Sequence, residues 1–420
     1  MVKVGIVGVG TVGESVVKTL LKNRDIIKAR AGKEIKVVKG VVRDPSKKRG
    51  VDIPLTTDYR QVTESEEVDV VVELMGGVEE AYKVVKSALS HGKPVITANK
   101  ALLAYHRFEL QQIAGELPFQ YEASVGGGIP IIKALREGLS ANHILQMSGI
   151  LNGTCNYILT AMEQGGDYQS ALQRAQELGY AEADPTLDVN GMDTAHKLLI
   201  LASVAYNIDV RPEDILVEGI EELSPVDFEF AQEMGYKIKL LAIAKKRGEN
   251  RVELRVHPTL LPKTQLLSKI EGVMNGVSVI GDVVGETLYY GPGAGGDATA
   301  SAVVSDLIEV VRGSNTPMLG YKKPLEMGDF QLVPQMEIES CYYFRLGVED
   351  KIGTLAKISS ILAEEGISIK NLIQKQREGY VKLLLSTHRS KEANIQRALE
   401  KLRAQKFMKR EPFFLRVEEK

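Results

Sequence analysis

The stretch VKVGIVGVGTVGESVVKTLLKN, residues 2–23, runs a strand into a glycine turn and the turn into an amphipathic helix. Gly8, Gly10 and Gly13 stand in it as G-x-G-x-x-G, with Thr11 and Val12 between them. In that context the first glycine permits a tight turn, the second lets the backbone approach a pyrophosphate, and the third lets the helix pack close to the strand. The helix start adds free N–H groups and a positive dipole end. Glycines serving only the turn are the plainer alternative. The runs EIKVVKGVV, VDVVVELMG and KPVITAN read as further strands, with a helix near 79–91. VDVVVELMG is continuously apolar, as a strand buried on both faces is. Strands alternating with helices mean a parallel sheet covered on both sides. We therefore expect an α/β chain that opens with a Rossmann-type doubly wound parallel sheet over residues 1–134.

At roughly 100–200 residues per domain, a chain of 420 residues holds more than this one unit. Residues 135–296 mix helical stretches near 167–179, 194–206 and 227–247 with strand-like runs near 143–150, 215–220, 252–256 and 277–284. This pattern suggests an α+β catalytic and dimerisation domain. GPGAGGDATASAVVSDLIEVVRG then gives a glycine loop and one long helix, near 297–313, expected to pack back on the first domain. Residues 314–340 have no clear period and are expected to link. Residues 341–420 read βαββαβ, a ferredoxin-like unit. The net charge of −2 gives no basic field for nucleic acid or an anionic membrane. Two distant cysteines, Cys155 and Cys341, offer neither a disulfide framework nor a zinc spacing. No apolar run reaches the length of a membrane span, and MVKVGIVGVG leaves no room for a signal peptide. A cytoplasmic protein is expected.

Several stretches carry candidate chemistry. In VVRDPSKKRG, Arg43 precedes Asp44 at the end of the second strand, and Lys47, Lys48 and Arg49 follow. An acid there suits free ribose hydroxyls and an arginine suits a 2′-phosphate, so NADP is favoured, with NAD tolerated, over a plain solvated loop. VITANKALLA places Lys100 just past a strand's C-terminal end, the edge where open parallel sheets bind ligands. A surface lysine at a helix start explains that position equally well. In EASVGGGIPII the three glycines suit a hinge or a loop whose carbonyls face a cation, and the hinge is favoured. LNGTCNYIL puts Asn152, Gly153 and Thr154 in a turn. GYAEADPTLDVNGMDTAHK gathers Glu182, Asp184, Asp188 and Asp193 before Lys197. Asp193 and Lys197 share a helix face. Beyond Lys197 the same stripe turns apolar at Ile200, Leu201 and Val204, so the lysine should stand where water ends and need an anionic or oxygen partner.

The stretches GVGTVG, ELMGG, TANK, EASVGGGIP, LNGTCNYI, GYAEADPTLDVNGMDTAHK and GPGAGGDATASAVVSDL, in this order, resemble the homoserine dehydrogenase family over the whole chain. VEDKIGTLAKISSILAEEGISIKNL resembles an ACT domain, which points to the monofunctional, ACT-bearing form. The resemblance implies reversible NAD(P)H-dependent reduction of L-aspartate 4-semialdehyde to L-homoserine. It implies Lys197 and Lys100 at the reacting oxygen, Asp193 orienting Lys197, and Glu182 and Asp188 facing the substrate's ammonium. Gly153, Thr154 and Tyr180 would complete the pocket. Gly8, Gly10, Thr11, Val12, Gly13, Arg43, Lys100 and Gly295 would hold the dinucleotide. A sodium ion would sit on the backbone oxygens of Glu122, Val125, Gly127 and Ile129, which raises the ion loop over the hinge. Asp350, Ile352, Gly353 and Asn371 would take an effector, expected to be L-threonine, in a homodimer or homotetramer. Asp350 serves equally well as a plain helix-start residue. His196 departs from the arginine associated with its position. The competing readings are another ACT-bearing amino-acid-pathway dehydrogenase, which should carry its glycine fingerprint mid-chain with a catalytic histidine, and a non-catalytic redox sensor, which should lack the two lysines.

Overall fold

The computed structural model describes residues 1–313, 316–323, 325, 328–377 and 380–418. Its first sheet holds six parallel strands, β1 (Val2–Val7), β2 (Ile35–Val41), β3 (Leu55–Thr56), β4 (Val70–Glu73), β5 (Val95–Thr97) and β6 (Phe119–Gln120), ordered β3-β2-β1-β4-β5-β6. The chain direction across the sheet reverses between β1 and β4, so a crevice opens at their C-terminal ends. The helices of this domain are α1 (Thr11–Lys22), α2 (Arg24–Ala31), α3 (Arg60–Thr63), α4 (Glu79–Ser90) and α5 (Lys100–Ala114). Val16, Val17 and Ile27 from α1 and α2 cover one face of the sheet. Val84, Val85, Leu102 and Leu103 from α4 and α5 cover the other.

The second unit runs through α6 (Ile131–Lys133), which continues into a π-turn over Ala134–Gly138, then β7 (Ile144–Ile150), α7 (Gly153–Glu163), α8 (Tyr168–Glu177), α9 (Thr186–Val189) and α10 (Met192–Tyr206). It continues with β8 (Leu216–Val217), α11 (Pro225–Glu233), β9 (Tyr236–Arg247), β10 (Arg251–Pro262), β11 (Met274–Gly281), β12 (Gly285–Pro292) and α12 (Gly296–Arg312). As expected, α12 returns to the first domain: Ala300, Val303 and Leu307 pack with Val4, Ile6 and Val16. The helix expected over 227–247 is a correction. α11 ends at Glu233, Gly235 takes φ +78°, and β9 starts at Tyr236. β9 lies between β7 and β10 and is buried continuously from Ile238 to Lys245. A strand buried on both faces loses the alternation that marks strands, and its apolar run imitates a buried helix. Asn152–Thr154 are likewise the start of α7 rather than an isolated turn.

The segment expected to link the last two units contains β13 (Gln331–Leu332), which pairs with β10, and buries Leu319 and Ile338. The last unit is β14 (Glu339–Val348), α13 (Thr354–Glu364), β15 (Ile369–Arg377), β16 (Tyr380–Thr387), β17 (Ser390–Lys391), α14 (Glu392–Arg403) and β18 (Phe413–Val417), a βαββαβ unit with β17 as a short addition. Its sheet is continuous with that of the second unit, in the order β12-β11-β7-β9-β10-β18-β14-β16-β15. The junction is the parallel pairing of Thr259 with Arg416 and Leu260 with Val417. Arg416 is fully buried there. Its guanidinium donates to Glu392 Oε1 at 2.7 Å inside the C-terminal unit and to Glu218 Oε2 at 2.6 Å, just past β8 in the second unit. Asp227 on α11 accepts from the Tyr343 hydroxyl at 2.7 Å and from Arg345 at 2.5 Å on β14. Breaking such buried pairs strands a charge, so the two units are held as one body rather than merely tethered. Among the described residues no helix is long and apolar enough to cross a membrane.

Candidate active site

α10 is buried all round from Asp193 to Val204, so the apolar stripe foreseen beyond Lys197 is part of a core helix. Gly191, at φ +86°, turns the chain from α9 into it. Lys197 Nζ donates to Asp193 Oδ2 at 2.7 Å and to the Leu151 carbonyl at 2.6 Å. Its side chain is 11% exposed. An ammonium has three N–H groups, and two of them are spoken for among the described residues, which leaves one. Lys100, the first residue of α5, brings its Nζ to 3.0 Å from Asp193 Oδ1, and its side chain is 41% exposed. One carboxylate therefore holds both lysines, one on each oxygen.

The electrostatics follow from that arrangement. Burial raises the Asp193 carboxyl, but the Lys197 and Lys100 ammoniums outweigh it and hold Asp193 well below the usual carboxylate range. The Asp193 charge lifts Lys100 above the ordinary lysine value against the effect of burial. Asp188, half-buried on α9, is raised by burial, and a hydrogen bond from Asn152 opposes the shift. Asn152 is the residue the sequence left without a role. Its Nδ2 donates to Asp188 Oδ1 at 2.7 Å and to Asp193 Oδ2 at 2.9 Å, while its Oδ1 accepts the Cys155 N–H at 2.8 Å and caps α7. An asparagine just before a helix is a capping signal, but the sequence reading placed Asn152 in a turn and gave no helix after it.

The other pocket candidates divide. Thr154 donates its hydroxyl to the Tyr180 carbonyl at 2.6 Å, and the Tyr180 ring packs 5.1 Å from Tyr157. Gly153 lets α7 approach its neighbour, since a Cβ there would meet the Val273 carbonyl at 2.7 Å. Glu182 is exposed, and its charge acts on Lys100. Asp184 turns away to accept from Thr186. His196 is buried edge-on to Tyr105, 5.8 Å between ring centroids, and burial lowers its pKa.

At the sheet edge Gly8 takes φ +105°, and a Cβ on it would lie 2.6 Å from the Leu74 carbonyl. A Cβ on Gly13 would lie 2.5 Å from the Gly8 carbonyl, whereas Gly10 is exposed with nothing within 4 Å. Val9, Gly10, Thr11 and Ser15 line a cleft with Lys47, Lys48 and Arg49. Arg49 pins the basic loop there by donating to the Val9 carbonyl at 3.0 Å, and Arg43 stays exposed beside it. Val12 is half-buried on α1. Gly295, at φ +117°, precedes α12, and Gly296 lies so close to α1 that a Cβ would meet Ser15 Oγ at 2.8 Å. The N-terminal turns of α1 and α12 are therefore adjacent. A buried chain braces the start of α5. Glu73 Oε2 accepts from Thr97 Oγ1 at 2.5 Å, Thr97 Oγ1 accepts from the Asn99 N–H at 3.0 Å, and the Asn99 side chain caps the helix at Leu102 N. Burial pushes Glu73 up to about 7.

In the triple glycine, Gly126 and Gly127 take φ +70° and +55°, and a Cβ on Gly127 would meet Gly293 at 2.7 Å. The loop is thus a close backbone junction with the segment leading to α12. The Glu122 carboxylate accepts the N–H groups of Ile132 and Lys133, both at 2.8 Å, and burial pushes it up to about 7. Among the described residues no group of three or more His, Cys, Asp or Glu is placed to hold a metal ion. Val125 and Gly127 of this loop are both buried. In the C-terminal unit Asp350, Ile352 and Gly353 share the loop before α13, with Gly353 at φ +89° and Ile352 fully exposed. Asn371 stands on the edge strand β15 and donates to Ser386 Oγ at 3.0 Å.

Comparisons with known proteins follow this geometry. Residues 8–121 match the family model described as homoserine dehydrogenase, NAD binding domain; residues 130–308 match homoserine dehydrogenase, and residues 342–407 match the ACT domain. The homoserine dehydrogenase of Helicobacter pylori is 51% identical over 99% of this chain and 98% of its own. That of Bacillus subtilis is 39% identical over 96% of this chain and 94% of its own. The crystal structure of a homoserine dehydrogenase from Thiobacillus denitrificans superposes with a TM-score of 0.93 at 44% identity, covering 100% of this chain and 98% of that one. A hyperthermophilic archaeal homoserine dehydrogenase in complex with NADPH gives 0.63 at 28% identity over 74% of this chain and 97% of that one.

The glycines predict separable effects. Gly10→Ala should keep the wild-type melting temperature and raise KM for the dinucleotide several-fold, because its Cβ fills open ligand space. Gly13→Ala should lower the melting temperature by pushing α1 off the turn. Kinetics and thermal unfolding check both, and equal behaviour of the two variants contradicts the assignment.

Proposed function

The chain belongs to the homoserine dehydrogenase family, and we propose that in its reaction the Lys197 ammonium stands at the reacting oxygen. The reaction is the reversible NAD(P)H-dependent reduction of L-aspartate 4-semialdehyde to L-homoserine. The observation that carries the assignment is the clamp on Lys197, two N–H groups bound to Asp193 and Leu151 and one left over. The bound dinucleotide supplies or takes the hydride. As negative charge grows on the aldehyde oxygen, the remaining N–H of Lys197 stabilises it and passes a proton from Nζ. In the oxidation direction the same nitrogen, deprotonated, takes the hydroxyl proton. Lys100 adds a second positive charge on the other oxygen of Asp193 and borders the dinucleotide edge at the head of α5. Asp188 and, at the exposed rim, Glu182 face the substrate's ammonium, while Gly153, Thr154 and Tyr180 form the wall.

Gly8, Gly10, Thr11, Val12, Gly13 and Gly295 cradle the dinucleotide. Arg43, exposed past β2 with Lys47 and Lys48 nearby, suits the 2′-phosphate of NADP, with NAD tolerated. The NADPH held by the archaeal relative supports this preference. A monovalent cation, sodium by preference, fits the backbone oxygens of Glu122, Val125, Gly127 and Ile129. The carbonyls of Val125 and Gly127 accept no hydrogen bond among the described residues. Its part is to fix the glycine junction beside Gly295. In the ACT domain, Asp350, Ile352, Gly353 and Asn371 take L-threonine as feedback effector. Activity indifferent to added L-threonine contradicts that assignment. Apolar side chains exposed on this domain, Ile352, Leu355 and Leu372, suit pairing of ACT domains in a homodimer or homotetramer, which sedimentation as a monomer would contradict. A cytoplasmic place fits two cysteines that make no disulfide framework.

Two variants test the chemistry. Lys197→Ala should lower kcat about 100-fold or more in both directions with little change in dinucleotide KM, and near-normal kcat in a folded variant contradicts the role. Arg43→Ala should raise KM for NADP+ about 10-fold and leave that for NAD+ unchanged; equal changes for both contradict the NADP assignment.

A further inference from the structure

We propose that Asn152 is a positioning residue that ties the ammonium-binding carboxylate Asp188 to the lysine-orienting carboxylate Asp193, so that substrate recognition and proton transfer stay in register. The proposal rests on the reading of Asp188 given above. The geometry is specific to an amide. Both N–H groups of Nδ2 are used, at 2.7 Å to Asp188 Oδ1 and 2.9 Å to Asp193 Oδ2. The Oδ1 accepts the Cys155 N–H at 2.8 Å, which caps α7. The side chain is buried, so these bonds do not exchange freely with water.

The two carboxylates stand on different helices, α9 and α10, joined through Asn190 and Gly191. Two like charges on separate elements drift apart unless something holds them. Asp193 has its own counter-charges in Lys197 and Lys100. For the Asp188 carboxylate, the hydrogen-bond donor among the described residues is Asn152. The first turn of α7 grips the same residue a second time, through Cys155 Sγ on the Asp188 carbonyl at 3.1 Å. The carbonyl clamping Lys197 belongs to Leu151, the residue before Asn152. One short stretch, 151–155, therefore fixes Lys197, Asp188 and Asp193 together.

The bridge also has an electrostatic consequence. Asp188 is raised by burial and by the Asp193 charge, and lowered by Asn152, Lys197 and Lys100; Cys155 is the other titratable group against it. Removing the Asn152 N–H takes away a bond to the charged form, so Asp188 should protonate at higher pH. An ammonium needs the ionised carboxylate. The acid limb of kcat/KM for L-aspartate 4-semialdehyde should therefore move to higher pH. In this direction Lys197 acts from its protonated form, so acid does not switch it off.

The test uses the full-length protein with Asn152→Ser, Asn152→Asp and Asp188→Asn, each followed by nicotinamide absorbance across pH and by thermal unfolding. Serine and aspartate both cap helices as well as asparagine does, but neither can donate to two carboxylates. Asn152→Ser should stay folded, leave the dinucleotide KM unchanged, raise the semialdehyde KM about 10-fold and shift the acid limb upward. Asn152→Asp, which adds a third negative charge, should do more. If Asp188→Asn raises the substrate KM while Asn152→Ser keeps the wild-type KM and acid limb, the bridge is wrong and the Asp188 reading stands. If Asp188→Asn leaves the substrate KM unchanged, the Asp188 reading falls and the bridge with it. If neither Asn152 variant shows a melting transition, Asn152 is a structural cap and the proposal is overturned.

Discussion

The site depends on one buried carboxylate. Asp193 meets Lys197 on one oxygen and Lys100 on the other, and the two ammoniums hold its carboxyl well below the usual carboxylate range against the effect of burial. Those lysines come from different domains: Lys100 begins a helix of the dinucleotide sheet, and Lys197 lies in the core helix of the second unit. The ion cluster is thus also a domain contact, and it sets Lys197 beside the head of α5 at the edge of the first sheet. An unpaired charge at any of these positions would be costly, which is why the arrangement is specified so tightly.

The surrounding backbone exists to allow that approach. Gly8 and Gly13 let a turn, a strand and a helix come within contact distance, and Gly127 does the same for the loop that meets Gly293. α12, far along the chain, closes the first domain's core and brings its own N-terminal turn next to that of α1. Farther out, the sheet of the second unit continues into the ACT domain through the pairing of β10 with β18. Arg416 lies at that seam between Glu392 and Glu218. Glu218 is followed by Gly219 and by Ile220, whose N–H donates to the Val189 carbonyl next to Asp188. The ACT domain is therefore joined by packed structure to the segment that bears Asp188.

Much of this was legible in the sequence, for physical reasons. The glycine spacing, the continuous apolar strands and the βαββαβ order all follow from local periodicity and turn chemistry. Lys197 stood out because a lysine beside an apolar stripe needs a partner, and Asp193 was one turn away. What was not legible depends on tertiary contact. β9 is buried on both faces and so carried no strand alternation. The segment 314–340 showed no period, and its short strand at Gln331–Leu332 is held by β10 rather than by its own pattern. Asn152 was read as part of a turn, whereas it caps α7, and its two N–H groups reach residues 36 and 41 positions away, which spacing does not encode. Glu73 likewise meets Thr97 on the neighbouring strand, a contact that spacing does not encode.

The central claim is that Asp193 acts through the lysine it holds. A double-mutant cycle in kcat with Asp193→Asn, Lys197→Ala and the two combined tests it most directly, on folded protein at one pH. Residues that act as a unit give losses that do not multiply. The double variant should lose no more activity than Lys197→Ala alone. Losses that multiply would mean that Asp193 and Lys197 serve the reaction independently, and would contradict the claim.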